Sequence, residues 1–439
     1  MRFHAFTPKH FDAIPQLQRL SPESRFAMQV VAAVLPFKIN NYIIEELIDW
    51  DNIPDDPMFQ LVFPQPEMLS PGDFATMADL LRSNADPAAI KQAAHAIRLE
   101  LNPHPAAQQT LNVPRLDGEP LPGLQHKYHE TVLFFPRRGQ TCHAYCTFCF
   151  RWPQFVHEQE LRIGAKETSG LQRYLKAHPE VTDLLVTGGD PLILSANALS
   201  EILEPLLAPE FDHVQTLRLG SKALTFWPFR FTEDKDADDL LRLFERLSRA
   251  GKHVALMAHL CHGRELAPPA FGQALKRLRE CGVTVRSQSP IVAHINDDAS
   301  VWATMWREQV KLGIIPYYCF VARDTGAKRY FEVPLARCWE IFREAWAQVS
   351  GLGRTVRGPS MSAGPGKVEV QGITEIAGER VFVLRFIQGR NPDWVQRPFF
   401  ARYDSKATWL DDLRPAFDAA RFFYEEEYAA MQQKALEED

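Results

Sequence analysis

The chain reads as an α/β protein whose parallel sheet is built from βα units. Short apolar runs recur from residue 131 onward, at 131–135, 181–187, 213–219, 253–257, 283–286 and 314–320. Helical stretches such as 236–247 and 271–280 lie between them. After a long first crossover the repeat is about 30 residues, the size of one βα unit. Such units build a parallel sheet, open or closed into a barrel, and periodicity does not choose between the two. In barrels of this kind active sites lie at the C-terminal ends of the strands. The polar and glycine-rich motifs of this chain fall there.

Residues 1–125 read as helical with proline-rich joints. Apolar residues fall at helical spacing in 24–34, 73–82 and 88–98. Pro71-Gly72 and the prolines at 103, 105, 114, 120 and 122 interrupt the pattern. No catalytic motif falls in this region, and scaffold packing is its expected role ahead of a cap or oligomer surface. Residues 126–345 carry the six strands and end in a helix over 334–346. Residues 346–439 form the expected C-terminal extension. It holds a glycine-rich segment at 357–367, strand-like runs at 367–370 and 380–386, and an acidic, helical tail over about 406–436.

Composition narrows the class. At 439 residues the chain can bury a large core, and its length allows two or three domains. Charged residues make up 24% and hydrophobic ones 46%, as in an ordinary globular protein. A net charge of −6 leaves no footprint for non-specific nucleic-acid binding. The first residues lack the apolar stretch of a signal peptide, and no run of 18 apolar residues predicts a membrane span. Seven cysteines, an odd number with three clustered, fit a reducing cytoplasm better than a disulfide scaffold.

The chain is organised around that cluster: Cys142-His-Ala-Tyr-Cys146-Thr-Phe-Cys149-Phe-Arg151. Thiolates bind iron–sulfur clusters, and a [4Fe–4S] cluster has four irons to ligate. Three protein thiolates leave one iron open to hold a small molecule and pass it an electron. Zinc is the bland alternative. It usually takes a fourth Cys or His at a matching spacing, and the next cysteine, Cys261, is far away in sequence.

Other candidates follow the strands. Gly188-Gly189-Asp190-Pro191 comes after the second run. Its glycines admit close backbone approach of a ligand, and Asp190 adds an acceptor, although glycines also serve a tight turn. Arg218 and Ser221 end the third run, His259 and His262 the fourth, and Ser287-Gln288-Ser289 the fifth. Taken singly, each is more often a satisfied polar residue than a ligand. At successive strand ends, they read together as a site. Lys367 emerges from Gly364-Pro-Gly and is a candidate for covalent attachment of pyridoxal phosphate (PLP). Pro-Gly turns ending in a surface lysine are also common.

The cysteine spacing, Tyr145 just before the second cysteine, and Arg151 two residues past the third resemble the radical S-adenosylmethionine (SAM) enzymes. Within these, the lysine 2,3-aminomutase family is the nearest resemblance, over about residues 120–375. It implies a partial (β/α)6 TIM-like barrel with a helical N-terminal region and a small C-terminal α+β extension. It implies that Cys142, Cys146 and Cys149 hold a [4Fe–4S] cluster whose open iron binds SAM. Tyr145, Gly188, Gly189, Asp190, Arg218, Ser221, His262 and Gln288 are the implied cofactor contacts. SAM cleavage then gives a 5′-deoxyadenosyl radical that abstracts hydrogen. Arg151 is implied to grip the substrate carboxylate, and Lys367 to carry PLP for a 2,3-amino migration. A reductant such as flavodoxin or ferredoxin is the expected protein partner. A homo-oligomer is allowed; nucleic acid and membrane partners are not expected.

The chain departs from that pattern in the substrate pocket. Lysine-specific members hold the distal ammonium with two aspartates, and Ala322 and Ser360 stand at those positions here. Asp324 is two residues away, among Arg323, Lys328, Arg329 and Arg357. An ammonium is poorly served there. The expected substrate is an acidic or neutral amino acid, or an aminoacyl side chain on a larger partner. The C-terminal cysteines that bind zinc in some members are missing, since none follows Cys338. Two other readings stay open: a radical SAM enzyme without PLP, and a non-catalytic protein that senses redox state through its cluster.

Overall fold

The computed structural model describes residues 1–102, 110–156 and 163–437; the expected breaks at Pro103 and Pro105 lie outside them. The apolar runs become neighbours, in chain order, in one sheet of eleven strands. These are β1 (Leu124–Tyr128), β2 (Thr131–Phe134), β3 (Asp183–Val186), β4 (Thr216–Ser221), β5 (His253–His259) and β6 (Thr284–Ile291). They continue as β7 (Ile315–Val321), β8 (Arg357–Ser362), β9 (Gly366–Ile376), β10 (Glu379–Gly389) and β11 (Pro398–Arg402). From β2 to β8 every neighbouring pair is parallel. β1 runs antiparallel to β2, and β8 to β11 alternate in direction.

Three longer helices precede the sheet: α1 (Pro22–Val34), α2 (Pro71–Arg82) and α3 (Pro87–Leu101). Ser21, Ser70 and Asp86 cap them with side-chain oxygens, each followed by proline at the first helical position. Six helices cross over between the parallel strands: α4 (Ser169–Ala177), α5 (Ala196–Leu203), α6 (Ala237–Arg249), α7 (Pro269–Glu280), α8 (Ala299–Lys311) and α9 (Leu335–Ala347). In α6, Asp238 and Asp239 open the helix and Arg246 and Arg249 close it, so charge and helix dipole agree. Leu184, Val186, Leu217, Leu219, Val254 and Leu256 are completely or almost completely buried. A parallel strand covered on both faces needs such side chains, which is why these runs read as apolar. No described helix is long and apolar enough to cross a membrane.

The architecture is a partial barrel, as the resemblance implies, with a seventh parallel strand. The sheet is not closed by backbone pairing between its ends. Side chains bridge the seam between β1 and the β9–β10 hairpin instead. Gln388 Nε2 donates to Glu130 Oε1 at 3.1 Å, Lys127 Nζ to the Ala363 carbonyl, and Arg390 to Asn112 Oδ1.

Three expectations change. The glycine-rich segment at 357–367 supplies β8, which pairs in parallel with β7. The expected boundary between 126–345 and 346–439 therefore falls inside one continuous sheet. At the other end, Ile43, Phe59 and Phe63 share a core with Phe226, Trp227, Ile295 and Phe331 of the strand-end loops. Residues 1–125 thus pack as part of the same body. Finally, among the described residues the acidic tail is α-helical only in α10 (Glu425–Glu437), with a single 3-10 turn at Leu410–Asp412 before it. Before it, Asp412 accepts from the backbone N–H groups of Thr408 and Trp409, which holds that stretch in turns ahead of Pro415.

Deleting residues 346–439 would strip β8 to β11 and bare the hydrogen-bonding edge of β7. The expected outcome is an aggregated fragment on size-exclusion chromatography; a monodisperse, folded fragment 1–345 would contradict the continuous sheet.

Candidate active site

A cavity of about 240 Å³ opens at the strand ends. Strand register decides which side chains face it. Leu133, Leu185 and Arg218 are partners across β2, β3 and β4, while His259, Gln288 and Tyr318 are partners across β5, β6 and β7. Residues in register point to the same face of a sheet, and all six line the cavity. Five cationic side chains line it too: Lys127, Arg151, Arg218, Arg323 and Lys367. The described lining contains no Asp or Glu. Phe148, Phe150, Tyr317 and Phe320 make much of the remaining wall.

Arg151 is wedged between aromatic rings, its guanidinium 4.6 Å from the Phe135 centroid and 4.9 Å from that of Phe150. Burial lowers its pKa to about 10, and no carboxylate offsets that charge. Such a group is poised for an incoming anion, and a surface ion pair is ruled out by its burial. Lys367 sits at the start of β9, opposite Gln388 of β10 in register. Its Nζ donates to Gln388 Oε1 at 3.0 Å and lies 4.0 Å from the Tyr318 ring centroid. Burial, then the charges of Arg218 and Arg357, bring its pKa down to about 7. Arg218 is already engaged, with Nε donating to Asp183 Oδ1 at 2.8 Å and a second bond to the other oxygen.

The Gly188-Gly189 turn is pressed against the cysteine loop. Gly188 has φ +146°, and a Cβ there would meet Gln140 Nε2 at 2.2 Å. A Cβ on Gly189 would lie 2.4 Å from both the N and the O of Thr141. Asp190 is not a spare acceptor. Its carboxylate takes bonds from Ser221 Oγ, Lys222 N and Leu192 N, at 2.8, 2.9 and 2.9 Å. Its own N–H donates to the Gly139 and Thr141 carbonyls. Asp190 and Ser221 therefore tie the tips of β3 and β4 to the loop, and neither lines the cavity. Tyr145 also stays out of the cavity lining. It stacks on Phe155 at 4.1 Å and shares a hydrogen bond with Thr141 Oγ1.

His262 is replaced at the cavity by His259. β5 runs on to residue 259, so His259 keeps the inward register of Gln288. His262 lies beyond the strand, where its Nδ1 accepts from Arg264 N and caps a short helical turn. Burial lowers the pKa of His259 to about 3, with Lys222 adding to the effect, so its imidazole is neutral.

The sequence carried little sign of how the cysteine loop is held from above. Tyr145 N donates to the Lys38 carbonyl and Thr147 N to the Leu61 carbonyl, at 2.8 and 2.9 Å. Lys38 Nζ donates to the Cys142 carbonyl at 2.7 Å, and Asn40 Nδ2 to that of His143 at 3.3 Å. Most of these contacts use backbone atoms, which leave no residue-type signature.

The chain is 32% identical over 397 residues to a putative L-lysine 2,3-aminomutase of Aquifex aeolicus (strain VF5), covering 90% of this chain and 92% of that one. It is 31% identical over 231 residues to the L-lysine 2,3-aminomutase of Escherichia coli (strain K12), covering 53% and 63%. This chain belongs to the radical SAM lysine 2,3-aminomutase family. Its members are isomerases that work with a [4Fe–4S] cluster and SAM. No protein-family model matches. Among solved structures, Streptococcus suis SuiB bound to its precursor peptide is similar with a TM-score of 0.35 and 15% identity, over 62% of this chain and 58% of that one.

The residues present fit the family's cofactors. Burial raises the pKa of the Cys142, Cys146 and Cys149 thiols, and the charges of all three interact through space. Among the described residues no three His, Cys, Asp or Glu side chains close around a single ion. A cubane spreads its thiolates over separate irons, so the two observations are compatible. For SAM, Gln140 Oε1 is a buried acceptor without a donor, next to the Gly188 turn. A ligand bearing an ammonium would satisfy it.

Gly189→Ala forces a methyl group into the Thr141 backbone, under the 3 Å that real Cβ contacts respect. The expected outcome is a fold that is retained by circular dichroism and a several-fold loss of iron after anaerobic reconstitution. Full iron content would show that the close approach is dispensable.

Proposed function

We propose that this family member moves an amino group between C2 and C3 of an amino acid other than free lysine, with PLP attached to Lys367. The observation that carries the reading is Lys367 itself. It is a buried amine with a pKa lowered to about 7, in the wall of a cavity that also holds Arg151. A lysine with a pKa of about 7 has about half of its amine neutral near pH 7, ready to attack a carbonyl without first losing a proton. Gln388 Oε1 fixes the direction of its lone pair.

When bound, the cluster and SAM supply the one-electron chemistry that removes hydrogen, and PLP supplies delocalisation for the migrating nitrogen. In this reading Cys142, Cys146 and Cys149 hold the cluster, and Gln140, Gly188, Gly189 and Gln288 receive SAM. Tyr145, Asp190 and Ser221 position the loop and the turn. Arg218 braces the wall beside Lys367 through Asp183. Arg151 takes the substrate's α-carboxylate in a two-point fork, with its plane set by the rings of Phe135 and Phe150. Phe148, Tyr317 and Phe320 exclude water from the reacting carbon.

Free lysine does not suit the pocket. Ser360, at one of the two family aspartate positions, is buried with its Oγ directed to the Cys319 carbonyl. Two like charges about 4 Å apart near a protein surface repel by about 4 kcal/mol, and every charged side chain on the lining is cationic. The electron comes from a reductant such as flavodoxin or ferredoxin, in the cytoplasm. Residues 1–125 act as a clamp on the cysteine loop, 126–345 as the radical SAM barrel, and 346–439 as the wall that brings Lys367.

Borohydride treatment of reconstituted protein is expected to leave a pyridoxyl group on Lys367 in peptide mass mapping. Lys367→Ala should lose PLP while keeping iron and SAM cleavage. Retention of PLP by that variant, or pyridoxyl on Lys127 instead, would sink the assignment. The rate of PLP uptake by the apoprotein should rise with pH through about 7 and level off above it, since the amine reacts only when neutral. A rise centred near the ordinary lysine value of about 10.4 would contradict the buried amine.

A further inference from the structure

We infer that the substrate is an amino acid with a second carboxylate on its side chain, and that Arg323 receives that carboxylate. The inference rests on the proposed function and deepens it. Arg323 follows directly on β7 and lines the cavity. Its guanidinium lies over two rings, 5.2 Å from the Phe150 centroid and 5.5 Å from that of Trp409. Its Nε and one terminal nitrogen are buried with no hydrogen-bond partner. Leaving a charged group's buried donors without an acceptor is costly, so a site of this kind is built for an acceptor.

Asp324 fills that role only in part. Its Oδ1 pairs with Arg323 Nε at 3.5 Å and supports the charge, but the pair is too open for a full hydrogen bond and leaves the buried Nη2 without an acceptor. Asp324 also stays out of the cavity lining. A carboxylate in the cavity matches the guanidinium fork.

The position of Arg323 sets the length of the ligand. Phe150 carries Arg151 and Arg323 on the same ring, at 4.9 and 5.2 Å from its centroid. The two cations are thus neighbours across one ring. One small molecule with a carboxylate at each end relieves both. A lysine side chain would bring a third positive charge, and an aliphatic one would leave the buried Arg323 donors without an acceptor. Lys127 and Arg390, by contrast, are already bonded to the Ala363 and Gly364 carbonyls beside Lys367. The competing anion for Arg323 is the phosphate of PLP, and the test separates the two.

Holoenzyme carrying PLP is offered L-aspartate, L-glutamate, L-leucine and L-lysine deuterated at Cβ, and label is followed into 5′-deoxyadenosine. Calorimetry of the same compounds on the PLP-loaded protein reads binding without turnover. Label and heat are expected from an acidic amino acid. Arg323→Met should raise its KM and its Kd at least tenfold with PLP and iron contents unchanged, and Arg323→Lys should recover part of the loss. Loss of PLP from Arg323→Met would assign the residue to the phosphate and overturn the inference. Preferred transfer from leucine or lysine would overturn it and leave the aminomutase reading intact. If SAM is cleaved and no amino acid gives up label, the aminomutase reading fails, and this inference with it.

Discussion

The close approach of Gly188-Gly189 to Gln140-Thr141 is the contact on which the site depends. Two backbone segments meet with no room for a side chain between them. Asp190 then locks the meeting from one side, donating its N–H to Gly139 and Thr141 and spending its carboxylate on Ser221, Lys222 and Leu192. A buried carboxylate is tolerable only when its lone pairs are filled. The result is a cysteine loop registered to the tips of β3 and β4. From the other side Lys38, Asn40 and Leu61 grip the same loop through its carbonyls and N–H groups. A loop carrying three thiolates for one cluster must keep its shape while one iron stays open, and this double clamp provides that rigidity.

The electrostatics of the cavity follow from a second constraint. Five cations without a carboxylate on the described lining repel one another in a medium of low polarity. The protein responds unevenly. Arg218 is compensated by Asp183, Lys127 is tied to a carbonyl, and Lys367 gives up its proton readily. Arg151 and Arg323 keep their charge because a guanidinium is hard to deprotonate, and both are braced by aromatic faces. The cations thus divide into those held by strong hydrogen bonds within the protein and those with weak compensation, Arg323 having only an open ion pair with Asp324.

Much of the barrel was legible because buried parallel strands demand apolar runs, and all six expected runs became β2 to β7. β8 was hidden by its own sequence, Arg357-Gly-Pro-Ser-Met-Ser, which carries the turn residues Gly and Pro inside a strand. It forms because the edge of β7 offers parallel pairing after α9. The cysteines, Arg151, Gln288 and Lys367 stood out by residue type and spacing. His259 rather than His262 lines the cavity because strand ends cannot be fixed to the residue from sequence, and His262 lies three positions past the end of β5. Asp190 and Ser221 have the residue types of ligand contacts but spend their bonds on the scaffold. Gln140 escaped notice, and Arg323 stood out only as one of a basic group, because what marks them, a buried atom without a hydrogen-bond partner, exists only after folding.

The open seam of the barrel explains why the C-terminal hairpin belongs to the site. Six βα units with the cysteine loop would leave the wall beside β1 incomplete. β9 and β10 complete it, and Gln388 is the hinge of that closure. One end of its amide accepts from Lys367 Nζ and the other donates to Glu130 in the β1–β2 turn. The lysine is thus held in place by the same side chain that bridges the seam. Hydrogen abstraction and group migration both require reacting atoms about 3–3.5 Å apart. Closing the seam through Gln388 brings Lys367 into the one cavity that Arg151 and the strand ends also line, where that spacing can be met.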